Sequence, residues 1–199
     1  MMTVARRSAL LIAAVILSVS SWWAIQGPGI LAPEDSLPPL EGAYHGGTPH
    51  VWNAAGGPVE LVCSSHGGFT SAADPPNRPG ETAESDYFAT FTGELTLGSI
   101  TYPVHEQVHM AERVTLSSRQ GRTRIFETEL VSFSLDVNGV LIRESHTQSS
   151  TGRATITTVP RGEFYVESFF DVFLEISLDG GRTWIPPENS VRMEMGLHH

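Results

Sequence analysis

Residues 164–178, FYVESFFDVFLEISL, decide the fold class of this chain of 199 residues. Every second residue from Phe164 onward is apolar except Ser168, and a period of two is the pattern of a β-strand that buries one face. Acidic residues and aromatic rings share the other face, so we expect another element to cover part of it. The segment has 15 residues and would span about 50 Å as one strand, which is too long for a small domain. The sequence therefore predicts a bend or bulge within it.

Turn signals separate further alternating segments. Asn138 and Gly139 lie between apolar runs and are typical of a two-residue hairpin turn, in which both residues need a positive φ. Turns are also expected at residues 160–162 and 179–181, which contain glycine. Strands are then expected near residues 59–63, 87–97, 100–116, 123–137, 140–145, 153–159, 163–178 and 183–194. Because no long helical pattern interrupts them, the sequence predicts an all-β protein, either an antiparallel β-sandwich or an open barrel.

The N-terminus carries the pattern of an export signal. Arg6 and Arg7 precede an uncharged and mostly apolar run over residues 8–29. Residues 1–26 are expected to form an export helix, which acts as a cleaved signal peptide or as an uncleaved signal anchor. Residues 8–25 would span about 27 Å as a helix, just enough for a bilayer core of about 30 Å. The protein is therefore expected to be exported to the periplasm or the extracellular space, with membrane contact only through this segment.

Proline and glycine set residues 27–85 apart from the rest of the chain. Four prolines fall within residues 27–42, where they favour an extended tether over a regular element. A second proline-rich loop is expected over residues 71–85. The sequence thus predicts a Pro/Gly-rich tether and loop with one short strand over residues 27–85, and a β domain over residues 86–196.

The charge balance excludes one class of partner. The chain has 22 acidic residues against 12 basic ones, all of which are arginine, and its net charge is −10. Loss of residues 1–26 would remove two arginines and no acid, which changes the net charge from −10 to −12. An acidic surface repels phosphate backbones, so nucleic-acid binding is not expected.

One cysteine and several histidines lie among the glycines of the N-terminal half. Cys63 is the single cysteine of the chain, so it cannot form an internal disulfide. It is expected to be a buried apolar residue. The nearby His45, His50 and His66 are expected at the surface.

The segment HEQVH begins at His105 and matches the H-E-x-x-H pattern of zinc peptidases. On a helix, His105 and His109 would share a face and bind zinc as a cofactor, with Glu106 as the general base. Glu127 or Glu129 would then be the third ligand. The segment also fits a strand, because apolar residues alternate around it. A strand would hold the two histidines about 13 Å apart, too far for one zinc ion. The sequence leaves both interpretations open.

Residues 177–184, SLDGGRTW, match the Asp-box pattern S-x-D-x-G-x-T-W and so resemble hairpins of sialidases and related propeller proteins. The resemblance implies a structural role, in which the aspartate accepts backbone hydrogen bonds, glycine takes a positive φ and the tryptophan packs beneath the turn. A propeller repeats its unit about every 40 to 50 residues, and this chain has one copy. We therefore expect a stabilised hairpin that has no catalytic role.

Four segments of the C-terminal half form a distinctive block: RESHT at 143–147, STG at 150–152, ESFFDVF at 167–173 and EISLDGG at 175–181. The block resembles a group of uncharacterised exported bacterial proteins that often carry a PEP-CTERM sorting tail. The resemblance covers residues 125–188, about a third of the chain, and it implies no known activity. Residues 193–199 lack the apolar helix and the basic end of such a tail.

These observations predict an exported β protein without catalytic activity, acting as a structural or binding module of the cell envelope or the extracellular space. Its partner, a glycan or a protein, is not identified by the sequence. Two alternatives stay open. The first is a zinc-dependent hydrolase that uses the HEQVH segment. The second is a carbohydrate-binding module in which Tyr165, Phe169 and Phe173 present exposed rings.

Overall fold

The computed structural model describes residues 29–197, so the predicted export helix over residues 1–26 lies outside the described part of the chain. All regular structure within the described residues is β-strand. In this part of the chain there is accordingly no helix with the length and apolarity needed to cross a membrane. The all-β prediction is confirmed for residues 29–197.

Twelve strands follow one another along the described residues. They are β1 Gly29–Ala32, β2 Gly42–Gly46, β3 His50–Ala54, β4 Gly57–Gly67, β5 Thr82–Leu97, β6 Ile100–Gln120, β7 Thr123–Val137, β8 Val140–Glu144, β9 Ser150–Thr158, β10 Phe164–Val172, β11 Leu174–Ser177 and β12 Val191–Leu197. The long strands β5, β6 and β7 largely alternate buried and exposed residues. This alternation is what a sheet with one face on a core requires.

Eight of the described strands close into an antiparallel barrel. The order around it is β10, β12, β2, β4, β5, β6, β7 and β9, and β9 pairs again with β10. β1 pairs with β10 beside β12, whereas β3, β8 and β11 extend the sheet beyond the barrel. The prediction of antiparallel pairing is confirmed. Of the two predicted architectures, a sandwich and an open barrel, the structure has a barrel, but it is closed because β9 has partners on both edges and joins the two ends of the sheet.

The barrel splits at one end, where several strands change partners. Among the described strands, residues 100–108 of β6 pair with β5 alone, and β7 joins β6 only from His109 onward. β7 pairs with β9 up to Leu130 and with β8 from Ser134. β4 pairs with β2 at its C-terminal end and with β3 at its N-terminal end. Beyond the split, β3 therefore replaces β2 as a partner of β4, and β8 replaces β9 as a partner of β7.

We call the position along the barrel at which these strands change partners the changeover level. It is defined by residues 61–66 of β4, residues 130–134 of β7 and residues 172–174 between β10 and β11. Beyond it, β3 lies against β11, since Trp52 Nε1 donates a hydrogen bond of 2.8 Å to the carbonyl oxygen of Leu174. Trp52 is fully buried. The molecule is thus a closed barrel that continues as a short two-layered region.

The segment that decides the fold class bends as predicted. β10 ends at Val172, and β11 continues with a new partner, β8, after Phe173. Ser150 holds the bend, because its hydroxyl accepts a hydrogen bond of 2.8 Å from the backbone N–H of Phe173. Glu175 and Ser177 are buried, and both belong to the face of the segment that carries the acidic residues and the aromatic rings. The expected covering of that face is therefore confirmed.

The tether predicted from the prolines differs from the structure. Residues 29–67 contain the strands β1 to β4, and two of them, β2 and β4, belong to the barrel. Pro33, Pro38 and Pro39 lie in the connection between β1 and β2, where no ladder hydrogen bond is required of them. β1, β2 and β3 have four or five residues each, which is too few for a period of two to be recognised, whereas the strand predicted over residues 59–63 is part of the longer β4.

The strand predicted over residues 183–194 is also corrected. Residues 178–190 form an irregular segment, in which Ile185 makes an isolated bridge to Ile176, and β12 begins at Val191. The turn predicted at Asn138 and Gly139 is confirmed, because these residues have φ values of 52° and 84° between β7 and β8. The turns predicted at residues 160–162 and 179–181 also contain residues with positive φ.

Candidate functional site

A partly enclosed cavity lies inside the molecule at the changeover level. Its volume is about 50 Å³. All of the empty space between the lining side chains, including the part that is open to solvent, amounts to about 530 Å³. Almost all of its wall is apolar, with contributions that include Cys63, Met110, Phe133, Phe170, Leu174 and Met193. A buried water needs roughly 10–15 Å³, so the cavity has room for a few waters or for one small organic group.

The cavity forms where the strand ladders are interrupted. A bulge in β4 between Cys63 and Ser65 shifts the register of that strand against β5, and bulges are frequent next to functional sites. Gly93 pairs with Cys63 across the two strands. A Cβ atom at Gly93 would lie 2.1 Å from the carbonyl oxygen of Val62. Glycine is therefore required for the close approach of β4 and β5 beside the cavity.

Two buried histidines line the cavity. His50 is 3% exposed and His66 is 5% exposed. Within the described residues, Nδ1 of His50 and Nε2 of His66 have no hydrogen-bond partner. Burial lowers the pKa of each ring to about 4, so both imidazoles are neutral at pH 7. A buried polar atom without a hydrogen-bond partner reduces the stability of a protein by about 1–3 kcal/mol. The two unpaired nitrogens can each make one more hydrogen bond, and they belong to residues of a mostly apolar wall.

The tyrosine hydroxyls at the cavity already have partners. Tyr44 Oη lies 2.8 Å from Ser168 Oγ, and the Tyr87 hydroxyl donates to Glu112 Oε2 over 3.2 Å. Glu112 is 1% exposed. Burial raises the pKa of its carboxyl group to about 7, against the lowering effect of the hydrogen bond from Tyr87. A second layer of polar groups thus lies behind the apolar wall.

Cys63 is part of the wall and is buried. Burial raises the pKa of its thiol to about 12, so the sulfur stays protonated and is a poor nucleophile. The prediction of a buried apolar residue is confirmed.

The surface position predicted for His50 and His66 is wrong. In β4, Val59, Leu61 and Cys63 face inward in strict alternation. The bulge after Cys63 then changes the parity, so that His66 points inward and Ser65 does not. His50 is brought inward because it pairs with Leu61 in the β3–β4 hairpin.

The HEQVH segment lies within β6, on a strand and not on a helix. His105 and His109 are exposed there, and they contact Thr92 Oγ1 over 3.1 Å and the Asp86 carboxylate, respectively. Strand spacing holds them about 13 Å apart, and Glu106 is exposed on the opposite parity. Within residues 29–197, no three side chains of His, Cys, Asp or Glu come together as a metal site would require.

The proposed third zinc ligands are engaged in ion pairs on the barrel surface. Glu129 accepts a hydrogen bond of 2.6 Å from Arg113, and Glu127 lies 3.4 Å from Arg153. The structure therefore does not bring either glutamate together with His105 and His109.

The aromatic residues considered for carbohydrate binding are mostly covered. Tyr165 is 9% exposed, and Phe173 lies at the bend between β10 and β11. Phe169 is partly exposed, but the guanidinium of Arg192 lies over its ring at 3.9 Å from the centroid. A shallow groove of about 200 Å³ runs beside Phe169 on the outer surface of the barrel.

The Asp-box segment forms the expected stabilised loop. Asp179 Oδ1 accepts hydrogen bonds of 3.0 Å and 2.9 Å from the backbone N–H groups of Arg182 and Thr183. These bonds hold the pKa of Asp179 at about 2, together with the Thr183 hydroxyl. Gly180 and Gly181 have positive φ values of 73° and 89°, and Trp184 lies under Gly181. The structural features predicted for the Asp-box, which concern its aspartate, glycine and tryptophan, are therefore confirmed.

The cavity residues could not be found from sequence motifs. Tyr87, Phe91 and Met110 follow the alternation of β5 and β6, which predicts inward-facing side chains but says nothing about an unfilled space between them. Comparisons of the chain with protein family models, with curated proteins and with solved structures find no match.

Proposed function

We propose that the protein is an exported, non-catalytic binding module that holds a small molecule in the cavity at the changeover level. The observation that carries the proposal is the pair of buried imidazole nitrogens, of His50 and His66, that lack partners in an otherwise apolar cavity. Eight-stranded barrels have interiors that are filled by side chains or hold one small ligand. The N-terminal pattern over residues 1–26 supports the exported location.

The wall of the cavity is able to adapt to a ligand. Met110 and Met193 both line it, and the methionine side chain is unbranched and fits irregular spaces. The cavity is only partly enclosed, so a ligand can approach it from solvent. A ligand somewhat larger than the 50 Å³ cavity can therefore enter when these side chains turn.

The chemistry of the cavity supports binding over catalysis. A nucleophile needs an adjacent base within hydrogen-bond reach, and among the described residues no hydrogen bond joins Cys63 to either histidine. The high pKa of the thiol and the low pKa of the imidazoles keep all three groups neutral at pH 7.

Two alternative functions have less geometric support. A zinc-dependent hydrolase would need His105 and His109 on one helical turn, and both lie on β6. A carbohydrate-binding module would rely on Phe169 and the shallow groove beside it, and Arg192 covers one face of that ring.

A thermal-shift screen of small neutral compounds tests the proposal. A compound present at about 100 times its Kd should stabilise the protein by about 2.7 kcal/mol, which raises the Tm of a chain of this length by roughly 5–10 °C. The substitution Cys63→Leu should abolish this shift, because the larger side chain projects into the cavity.

The control is Val62→Leu. Val62 is the neighbour of Cys63 on β4 but is 38% exposed on the outer surface, so the same enlargement leaves the cavity unchanged and the shift intact. The proposal fails if no compound stabilises the protein, or if the compounds that do so stabilise Cys63→Leu to the same extent.

A further inference from the structure

We infer that the ligand of the cavity is an uncharged molecule with an apolar body and a hydroxyl or carbonyl group that hydrogen-bonds to His66 or His50. This inference rests on the proposed function and adds the chemical class of the ligand. A phenol is the simplest molecule of that class with a rigid apolar body.

The spare hydrogen-bonding capacity of the cavity identifies the polar contact. Tyr44 and Tyr87 line the cavity, but their hydroxyl groups are engaged by Ser168 and Glu112. His66 and His50 also line the cavity, and within the described residues Nε2 of His66 and Nδ1 of His50 are buried and have no hydrogen-bond partner. A neutral imidazole nitrogen accepts from a hydroxyl group or donates to a carbonyl oxygen, depending on its tautomer.

The surroundings of the histidines favour an apolar body. The ring of His66 lies 5.8 Å from that of Phe69, 6.2 Å from that of Phe91 and 6.5 Å from that of Phe133, measured between centroids. His50 is stacked on Trp52 at 5.7 Å with an interplanar angle of 14°. Phe91 and Phe133 also line the cavity, so a ligand that bonds to His66 lies beside aromatic rings.

The absence of charge at the wall argues against an ionic ligand. No arginine, aspartate or glutamate is among the described side chains that line the cavity. A buried charge without an opposite charge is strongly disfavoured. An anion would also approach the Glu112 carboxyl group, which lies behind Tyr87.

Phenol and toluene, which have the same size and differ in one polar group, test this inference. The methyl groups of methionine report their binding, because Met110 and Met193 line the cavity whereas Met195 is buried elsewhere. Each compound is titrated into protein that carries ¹³C-methyl methionine, and shifts of the Met110 and Met193 signals with an unchanged Met195 signal locate the binding.

We expect phenol to bind about tenfold more tightly than toluene. A purely apolar cavity would prefer toluene, because phenol loses its hydrogen bonds to water on entry. His66→Phe, or His50→Phe if that ring makes the contact, should reverse the preference, whereas His105→Phe on the outer surface of β6 should not. The native spectrum of each variant verifies that it folds.

The possible outcomes separate the inference from the proposed function. If toluene binds at the methionines as tightly as phenol or more so, the inference is overturned while the cavity remains a binding site. Retention of the phenol preference in both histidine variants overturns it as well. If neither compound shifts the Met110 and Met193 signals, the inference and the proposed function both fail.

Discussion

Acidification from pH 6.5 to pH 4 should cost the folded protein much of its stability, because His50 and His66 must gain a proton in an apolar site. The pKa of each ring is about 4 when folded, against 6.5 for the free side chain. In that interval the unfolded chain binds more protons, so the free energy of unfolding falls as the pH falls. Each histidine contributes a loss of roughly 3 kcal/mol.

Glu112 opposes this loss, since its pKa is raised to about 7. Over the same interval the folded protein binds more protons at this carboxyl group, which recovers roughly 3 kcal/mol as the pH falls. The net loss from these three groups is therefore roughly 3 kcal/mol between pH 6.5 and pH 4.

Urea unfolding followed by tryptophan fluorescence at several pH values measures these contributions. His50→Phe and His66→Phe should each reduce the acid-induced loss by about 3 kcal/mol. His105→Phe removes an exposed histidine and serves as the control, for which the acid-induced loss should equal that of the wild type. Equal losses in all three variants would contradict the burial of the two rings.

Glu112→Gln should stabilise the protein at pH 8, the opposite of what loss of a hydrogen-bonded side chain ordinarily does. The carboxyl group is fully buried, and its hydrogen bond from Tyr87 does not offset the cost of burying the charge. The stability that it contributes is complete below the free pKa of 4.5 and is lost as the pH rises through about 7. Glutamine keeps an oxygen acceptor for Tyr87 and has no charge to bury.

The expected gain is roughly 2–3 kcal/mol at pH 8, which corresponds to a Tm increase of about 5–10 °C. At pH 4.5 the variant and the wild type should differ by much less. Glu94→Gln on the exposed face of β5 is the matched control and should have little effect at either pH. A variant that is destabilised equally at pH 8 and pH 4.5 would show that Glu112 is not buried as a charged group.

The local features of the fold were predictable because each depends on neighbours in the sequence. Period two in residues 164–178, the positive φ values at Asn138 and Gly139 and the Asp-box hydrogen bonds around Asp179 all follow from the chemistry of adjacent residues. The bend at Phe173 was predictable from the length of this segment, because a single strand of 15 residues is too long for a small domain.

Closure of the barrel and the cavity itself were not predictable in this way. Barrel closure depends on β9 pairing with β7 and β10, and alternation along a strand does not specify its neighbours. The cavity depends on where β4, β7 and β10 change partners and on the bulge after Cys63, which turns His66 inward. A single inserted residue reverses the parity of a strand, so a histidine expected at the surface lies in the site.

Crystallography under xenon pressure is the most direct test of the central claim that the barrel contains an accessible apolar cavity at the changeover level. Xenon enters dry apolar cavities. The account predicts a bound xenon atom in contact with Met110, Phe133 and Met193, the same atom in Val62→Leu and none in Cys63→Leu. A barrel interior that takes up no xenon, or that binds it only at the outer groove beside Phe169, would contradict the account.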